Sequence, residues 1–339
     1  VDSEHLIGQK LLLAFDGKEL TPEIRETIKA YKPAGLTFFR SLNIDSPTQV
    51  RRLTVSLQRL ARELDLSPFL IAADQEGGQL MAIGEGTTPL PGNMALGATG
   101  STKLARRAGE VLGRELAAMG VNVNYAPSCD VNIKPMNPVI GIRSFGEDPA
   151  AVAQLASAMI EGIQSQGVAA TAKHFPGHGD TAGDSHHGLP SVPHTLERLQ
   201  QVEFPPFQAA IAADAKLMMT AHLALPVLDG PDAPPATLSR RILHGLLREE
   251  LGFKGVIVTD AMDMGAIRQG DALGEDAVRA AAAGADLLLL TSNPDDQRRV
   301  YENLLSALQH GDLDAKSISA SVERILSLKR WLADHPQPE

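Results

Sequence analysis

The residues best equipped for chemistry crowd into one stretch, "KHFPGHGDTAGDSHHGLP" at 173–190. It holds Lys173, four histidines (His174, His178, His186, His187) and two aspartates (Asp180, Asp184), among four glycines and two prolines. Three chemistries compete for it. "GHGDTA" at 177–182 matches the glycine fingerprint of a nucleotide-phosphate turn, but that turn must open a helix. The following "GDSHHGLPSVP" cannot begin one. The histidines and aspartates could ligate a metal. Three glycines and a proline separate them, however, so no regular face aligns them. The third chemistry is proton transfer. His186 lies two residues after Asp184, and a carboxylate beside an imidazole favours its charged form and raises its pKa. From a reference of about 6.5, such a rise suits a general acid, a role worth roughly 10² to 10⁴ in rate. The plain alternative is a turn-forming Asp184 beside a surface His186.

A second acid gives that pair a context. "GFKGVIVTDAMDMGAI" at 252–267 puts Asp260 at the end of a strongly apolar run, with Ala261 and Met262 after it. Solvation explains a carboxylate poorly there. An aspartate so placed can attack a sugar carbon and form a covalent glycosyl intermediate. The competing reading is a cap for the next helix, a role Asp263 could also fill.

Eight apolar runs of strand length would position these groups: 11–15, 35–39, 69–73, 121–126, 168–172, 216–221, 255–259 and 285–290. They are apolar throughout instead of alternating, as parallel strands buried on both faces are. Helical patterns lie between them. "TPEIRETIKAY" and "SPTQVRRLTVSLQRLAREL" each open on a hydroxyl cap followed by proline. Further helices are expected over 101–119, 149–166, 195–213, 239–251, 272–283, 294–309 and 315–333. Strand–helix alternation predicts a single α/β domain over 1–339, a TIM (β/α)8 barrel allowing for irregular strands; an open doubly wound sheet is the alternative. In a barrel the active site is built at the C-terminal strand ends. Asp16, Arg40, Asp74, Lys173 with His174, His222, Asp260 and Thr291 follow the predicted strands. Asp16, Arg40 and Thr291 read as ordinary turn residues.

With these stretches in view, the chain resembles the single-domain β-N-acetylglucosaminidases of glycoside hydrolase family 3. "DQEGG" at 74–78, "NPVIGIRSFGEDP" at 137–149, "KHFPGHGDTAGDSH" at 173–186, "VTDAMDMGAI" at 258–267 and "AVRAAAAGADLLLL" at 277–290 match in order. The resemblance implies a barrel and a retaining mechanism. Asp260 would be the nucleophile, and His186, paired with Asp184 on a mobile loop after the fifth strand, the general acid/base. Asp74, Arg143, Lys173 and His174 match the family's sugar-binding positions. The implied substrate is a small GlcNAc-containing saccharide, with peptidoglycan-derived muropeptides as the substrate class. No metal or organic cofactor is called for. The departure is "DQEGGQLMA", where Gln79 and Ala82 replace two family arginines and bear on sugar specificity. A histidine in place of a second carboxylate would not repel an anion approaching the glycosyl ester, which lets phosphate compete with water. The alternatives are a β-glucosidase or β-xylosidase, and a sugar-binding barrel without turnover.

Other residues receive plainer readings. His178 should hold the loop's shape, His187 should be exposed, and His222 should either line the pocket or pack. Glu76 is expected to bond backbone amides in its own turn. Cys129 reads as a small buried hydrophobe, and Met218, Met219, Met262 and Met264 as core or pocket wall.

Composition sets the outer bounds. The 339 residues are 43% hydrophobic and 4% aromatic and carry a net charge of −10. A chain so acidic lacks the basic surface that a general grip on nucleic acid needs. One cysteine allows no internal disulfide. No apolar run nears the roughly 20 residues of a membrane span, and the first residues show no basic-then-apolar pattern. A monomeric cytoplasmic protein is the expectation. The closing "DHPQPE" reads as a frayed tail.

Overall fold

The computed structural model describes residues 2–335. Each of the eight apolar runs contains a strand: β1 (Leu11–Leu13), β2 (Gly35–Phe38), β3 (Leu70–Ala73), β6 (Val123–Asn124), β7 (Ala169–Phe175), β8 (Leu217–Thr220), β9 (Val256–Thr259) and β10 (Leu288–Leu290). A hairpin of β4 (Gln75–Gly77) and β5 (Leu80–Met81) follows β3. The eight strands run in the order β10-β1-β2-β3-β6-β7-β8-β9, all parallel. The ends meet where Val258 bridges Leu287, and the Thr259 amide donates to the Leu287 carbonyl at 2.9 Å. The sheet therefore closes on itself, and the open-sheet alternative is set aside.

Two helices begin at the Thr21 and Ser46 caps read from the sequence, and a third begins in the same way after Asp148. Thr21, Ser46 and Asp148 each accept a hydrogen bond from the third residue onward, ahead of helices Pro22–Tyr31, Pro47–Glu63 and Pro149–Gln164. The single helix expected over 195–213 is instead two, Leu196–Gln201 and Phe204–Ala212. Pro205 and Pro206 have no amide to donate into a preceding turn, so the second helix must start afresh. Of the closing "DHPQPE", Asp334 ends the last helix, and residues 336–339 lie outside the described residues.

The two mouths of the barrel differ in kind. Strand-side residues Leu12, Leu70, Val123, Tyr125, Leu217 and Val258 fill the interior. Ile325 and Leu328, from the last helix Ala315–Asp334, join that cluster. This helix plugs the end where the strands begin. There the fully buried Asp286 accepts from Arg248, from Arg324 at 2.8 Å and from Ser321 at 2.8 Å, while the Lys10 ammonium donates to Ser321 at 2.8 Å. Charges so satisfied are tolerable in an apolar surround. The opposite mouth, where the strands end, is left for chemistry.

Candidate active site

Asp74 follows β3 directly. Its strand end is pinned to β6 by Asn124, whose side chain accepts from the Gln75 amide at 3.0 Å and donates to the Gln75 carbonyl at 2.9 Å. Across the mouth, β7 changes register against β8 between Ala172 and Phe175. Within this break the Lys173–His174 peptide is cis. Both consecutive side chains serve the site. The Lys173 ammonium, 1% exposed, lies 2.6 Å from Asp74 and 2.6 Å from Glu76. Glu76 also receives Arg143 in a two-pronged pair, at 3.0 Å from Nε and 2.7 Å from Nη2. Glu76 was expected to bond amides of its own turn; it is the shared counter-charge of two buried cations instead. Burial alone pushes its carboxyl up, but Lys173 and Arg143 outweigh this and hold it down at about 2. Burial likewise pushes the Lys173 ammonium down, and Asp74 and Glu76 more than reverse the shift.

The donor inventory shows what remains for a ligand. An ammonium has three donors and a guanidinium five. Lys173 uses two, and Arg143 has spent most of its own on Glu76, the Val139 carbonyl and His174. Asp74 keeps one carboxylate oxygen without a partner among the described residues. Opposite charges thus meet at one rim with free donors and acceptors, which is what a ring of hydroxyls needs.

His174 is set by a residue that sequence reasoning missed. Buried Asp130, an acceptor only, takes the Nδ1 proton of His174 at 2.7 Å, leaving Nε2 turned to Arg143 at 3.5 Å. Asp130 also accepts from the His178 amide at 2.7 Å. Burial raises its carboxyl, and His174 outweighs that, so it stays below the usual range. The strand-end rule could have found it, had the search beyond the fourth strand reached a few residues further than the strand's last residue.

Asp260 sits half-buried at the end of β9. Its carboxylate accepts from the Ala261 amide at 2.8 Å. Burial pushes the group up, but nearby His174 and His222, that amide and Lys173 together hold it below the ordinary aspartate value, so it is an anion at neutral pH. Neither Asp260 nor Asp263 caps a helix, since the next helix starts only at Ala272. His222 is buried and bonded to Thr237 at 2.7 Å and to the Ala261 carbonyl at 2.9 Å, so it braces the backbone that carries Asp260.

The segment 176–190 contains no helix, so the phosphate-turn fingerprint is empty. His178 is buried and bonded to Thr181 at 2.7 Å and Ser185 at 3.2 Å, holding the loop as expected. At Gly179 a Cβ would lie 1.8 Å from the Val131 carbonyl oxygen, so only glycine lets the loop pass. Further along, Asp184 accepts from the His186 amide at 2.9 Å and from its Nδ1 at 2.7 Å. The Nε2 edge of His186 is left outward, and His187 is exposed. Burial nudges the Asp184 carboxyl up, and the hydrogen bonds from His186 bring it below the usual range. Two main-chain bonds dock this turn onto the segment after Asp260: the Gly265 amide donates to the His186 carbonyl at 3.1 Å and the Ala266 amide to the Ser185 carbonyl at 3.1 Å. The histidines are thus spent on separate partners, and among the described residues no group of three or more His, Cys, Asp or Glu is placed to hold a metal. Gln79 is exposed, and Ala82 is buried with its amide donating to the Asp74 carbonyl at 2.7 Å.

The closed barrel carries an ionised aspartate, compensated cations and a docked imidazole at its strand-end mouth, the place where barrel enzymes build their active sites. The chain belongs to glycosyl hydrolase family 3, whose N-terminal domain it matches over residues 6–328. A glycoside hydrolase family 3 β-N-acetylglucosaminidase from Paenibacillus sp. str. FPU-7 superposes with a TM-score of 0.95 at 45% identity, covering 98% of this chain and 63% of that one. Beta-hexosaminidase A of Pseudoalteromonas piscicida is 36% identical over 97% of this chain and 61% of its own length. A beta-hexosaminidase of Alkalilimnicola ehrlichii is 33% identical over 95% and 93% respectively. The chain therefore spans about three fifths of the first two proteins and nearly all of the third.

Proposed function

We propose that this protein is a retaining exo-β-N-acetylglucosaminidase that removes a terminal GlcNAc from β-linked saccharides, with muropeptide-type fragments of peptidoglycan as the substrate class. Asp260 attacks the anomeric carbon as the C1–oxygen bond to the leaving group breaks. His186 gives its Nε2 proton to that oxygen. The resulting glycosyl ester on Asp260 is then opened by water, whose proton returns to His186. Asp184 fixes the imidazole so that Nε2 faces outward. Asp74, Lys173, Arg143 and His174 hold the sugar hydroxyls, with geometry that can tighten as positive charge develops on the ring.

The observation that carries this reading is the pair of main-chain bonds fixing the His186 turn beside the Asp260 segment. It supports the reading by holding the turn that carries the His186 imidazole against the segment that follows the Asp260 carboxylate, two distant parts of the chain. The names of the relatives support the GlcNAc preference. The test is turnover of nitrophenyl β-N-acetylglucosaminide by the wild type and by Asp260→Ala. The variant should lose about 10³-fold or more in kcat, because the covalent step has no attacking group. Faster wild-type cleavage of the nitrophenyl glucoside or xyloside would move the specificity elsewhere in the family. Retained GlcNAc binding with no turnover would leave a sugar-binding barrel.

A further inference from the structure

The polar groups of the mouth are unevenly distributed. The ends of β3, β7 and β9 and the stretch after β6 supply Asp74, Lys173, His174, Asp260 and Asp130. The remaining side, over the ends of β10 and β2, holds a wide, solvent-open depression of about 560 Å³. Ser41, Thr291, Ser292 and Asn293 give it a hydrogen-bonding wall, and Asp263 is its only charged lining group. The Asp263 carboxylate is exposed and has no hydrogen bond or ion pair among the described residues. The nearby Arg40 does not neutralise it; its guanidinium lies over Gly84, where an added Cβ would meet it at 2.3 Å.

The docked loop orients this depression. The leaving oxygen must lie by the group that protonates it, and His186 is bonded to Gly265, two residues beyond Asp263. We infer that this depression receives the leaving group and that Asp263 selects one bearing an ammonium, such as a glucosamine unit. This rests on the glycosidase reading above. A carboxylate without a partner gains a charge-assisted hydrogen bond from an ammonium and a weaker one from a neutral acetamide.

The experiment compares kcat/KM at pH 6 for GlcNAc-β-1,4-glucosamine and GlcNAc-β-1,4-GlcNAc, in the wild type and in Asp263→Asn. Using the ratio cancels any general effect of the substitution on the nearby nucleophile. The wild type should favour the amine by about tenfold, one charge-assisted contact's worth, and the variant should bring the ratio close to one. A wild-type ratio near one, or a ratio unchanged by Asp263→Asn, overturns the assignment of the depression while nitrophenyl GlcNAc turnover persists. Absence of turnover on all three substrates overturns the glycosidase reading with it.

Discussion

Glu76 is the residue whose removal should cost most outside the reacting groups. It neutralises two buried cations at once, and a glutamine there would leave Lys173 and Arg143 short of a counter-charge. Breaking a buried pair in this way destabilises by about 3–5 kcal/mol. Its carboxyl is depressed in the folded state, so its contribution is complete above the ordinary glutamate value and fades as pH falls toward 2. Urea melts of the wild type and Glu76→Gln should therefore differ widely at pH 7, draw together below the ordinary glutamate value and converge only near pH 2. The strand-end placement of Asp260 and the contact between His186 and Asp184 were legible in the sequence, because a carboxylate after an apolar run and an Asp-x-His in a glycine loop are unusual where they stand. Asp130 and the true partners of Glu76 were not. Their roles depend on side chains 44 and 67 residues away in sequence, contacts that no local pattern carries.

Among the elements, the His186 turn and the last helix invite opposite tests. At Gly265 a Cβ would lie 2.6 Å from the His186 carbonyl oxygen, which is backbone and cannot swing aside. Gly265→Val should push the turn off its seat, lowering kcat by roughly 10²-fold, the lower range for a displaced general acid. KM should change little, because the residues proposed to hold the sugar lie at the ends of β3 and β7 and at Arg143. Steady-state kinetics with nitrophenyl GlcNAc and an unchanged melting curve would check both halves. At the other end, Lys329 of the last helix is buried with Gln9 as its partner at 3.1 Å, and burial pushes its amine down to about 7. The unfolded chain then holds more protons between pH 7 and about 10, so stability should rise with pH across that window. Lys329→Met should raise Tm by roughly 2–5 °C at pH 6 and by progressively less as pH climbs to 10. The places of the eight barrel strands and of most long helices could be read from apolar runs, amphipathic patterns and Ser/Thr-Pro caps, whereas the strand extents, the β4–β5 hairpin and short helices such as Asn93–Thr99 could not. The split at Phe204 could have been read from the adjacent prolines, yet the amphipathic pattern continued across them and hid it.

For the whole molecule, the barrel separates two duties by distance. The strand-start mouth is sealed by a helix and a satisfied charge network around Asp286, and the strand-end mouth is left polar and open. Eight uniformly apolar runs marked parallel strands buried on both faces, which suits a barrel or an open doubly wound sheet alike; the Val258–Leu287 bridge decides for closure. The side of the mouth proposed to take the leaving group could not be read this way. It depends on where a glycine-rich loop lies down, and such a loop has no period to read.

The two bonds that seat this turn run from main chain to main chain and ask nothing of the side chain at position 186. If His186 is the proton carrier proposed above, it is in this sense a replaceable part: another acid or base at position 186 could arrive at the same address.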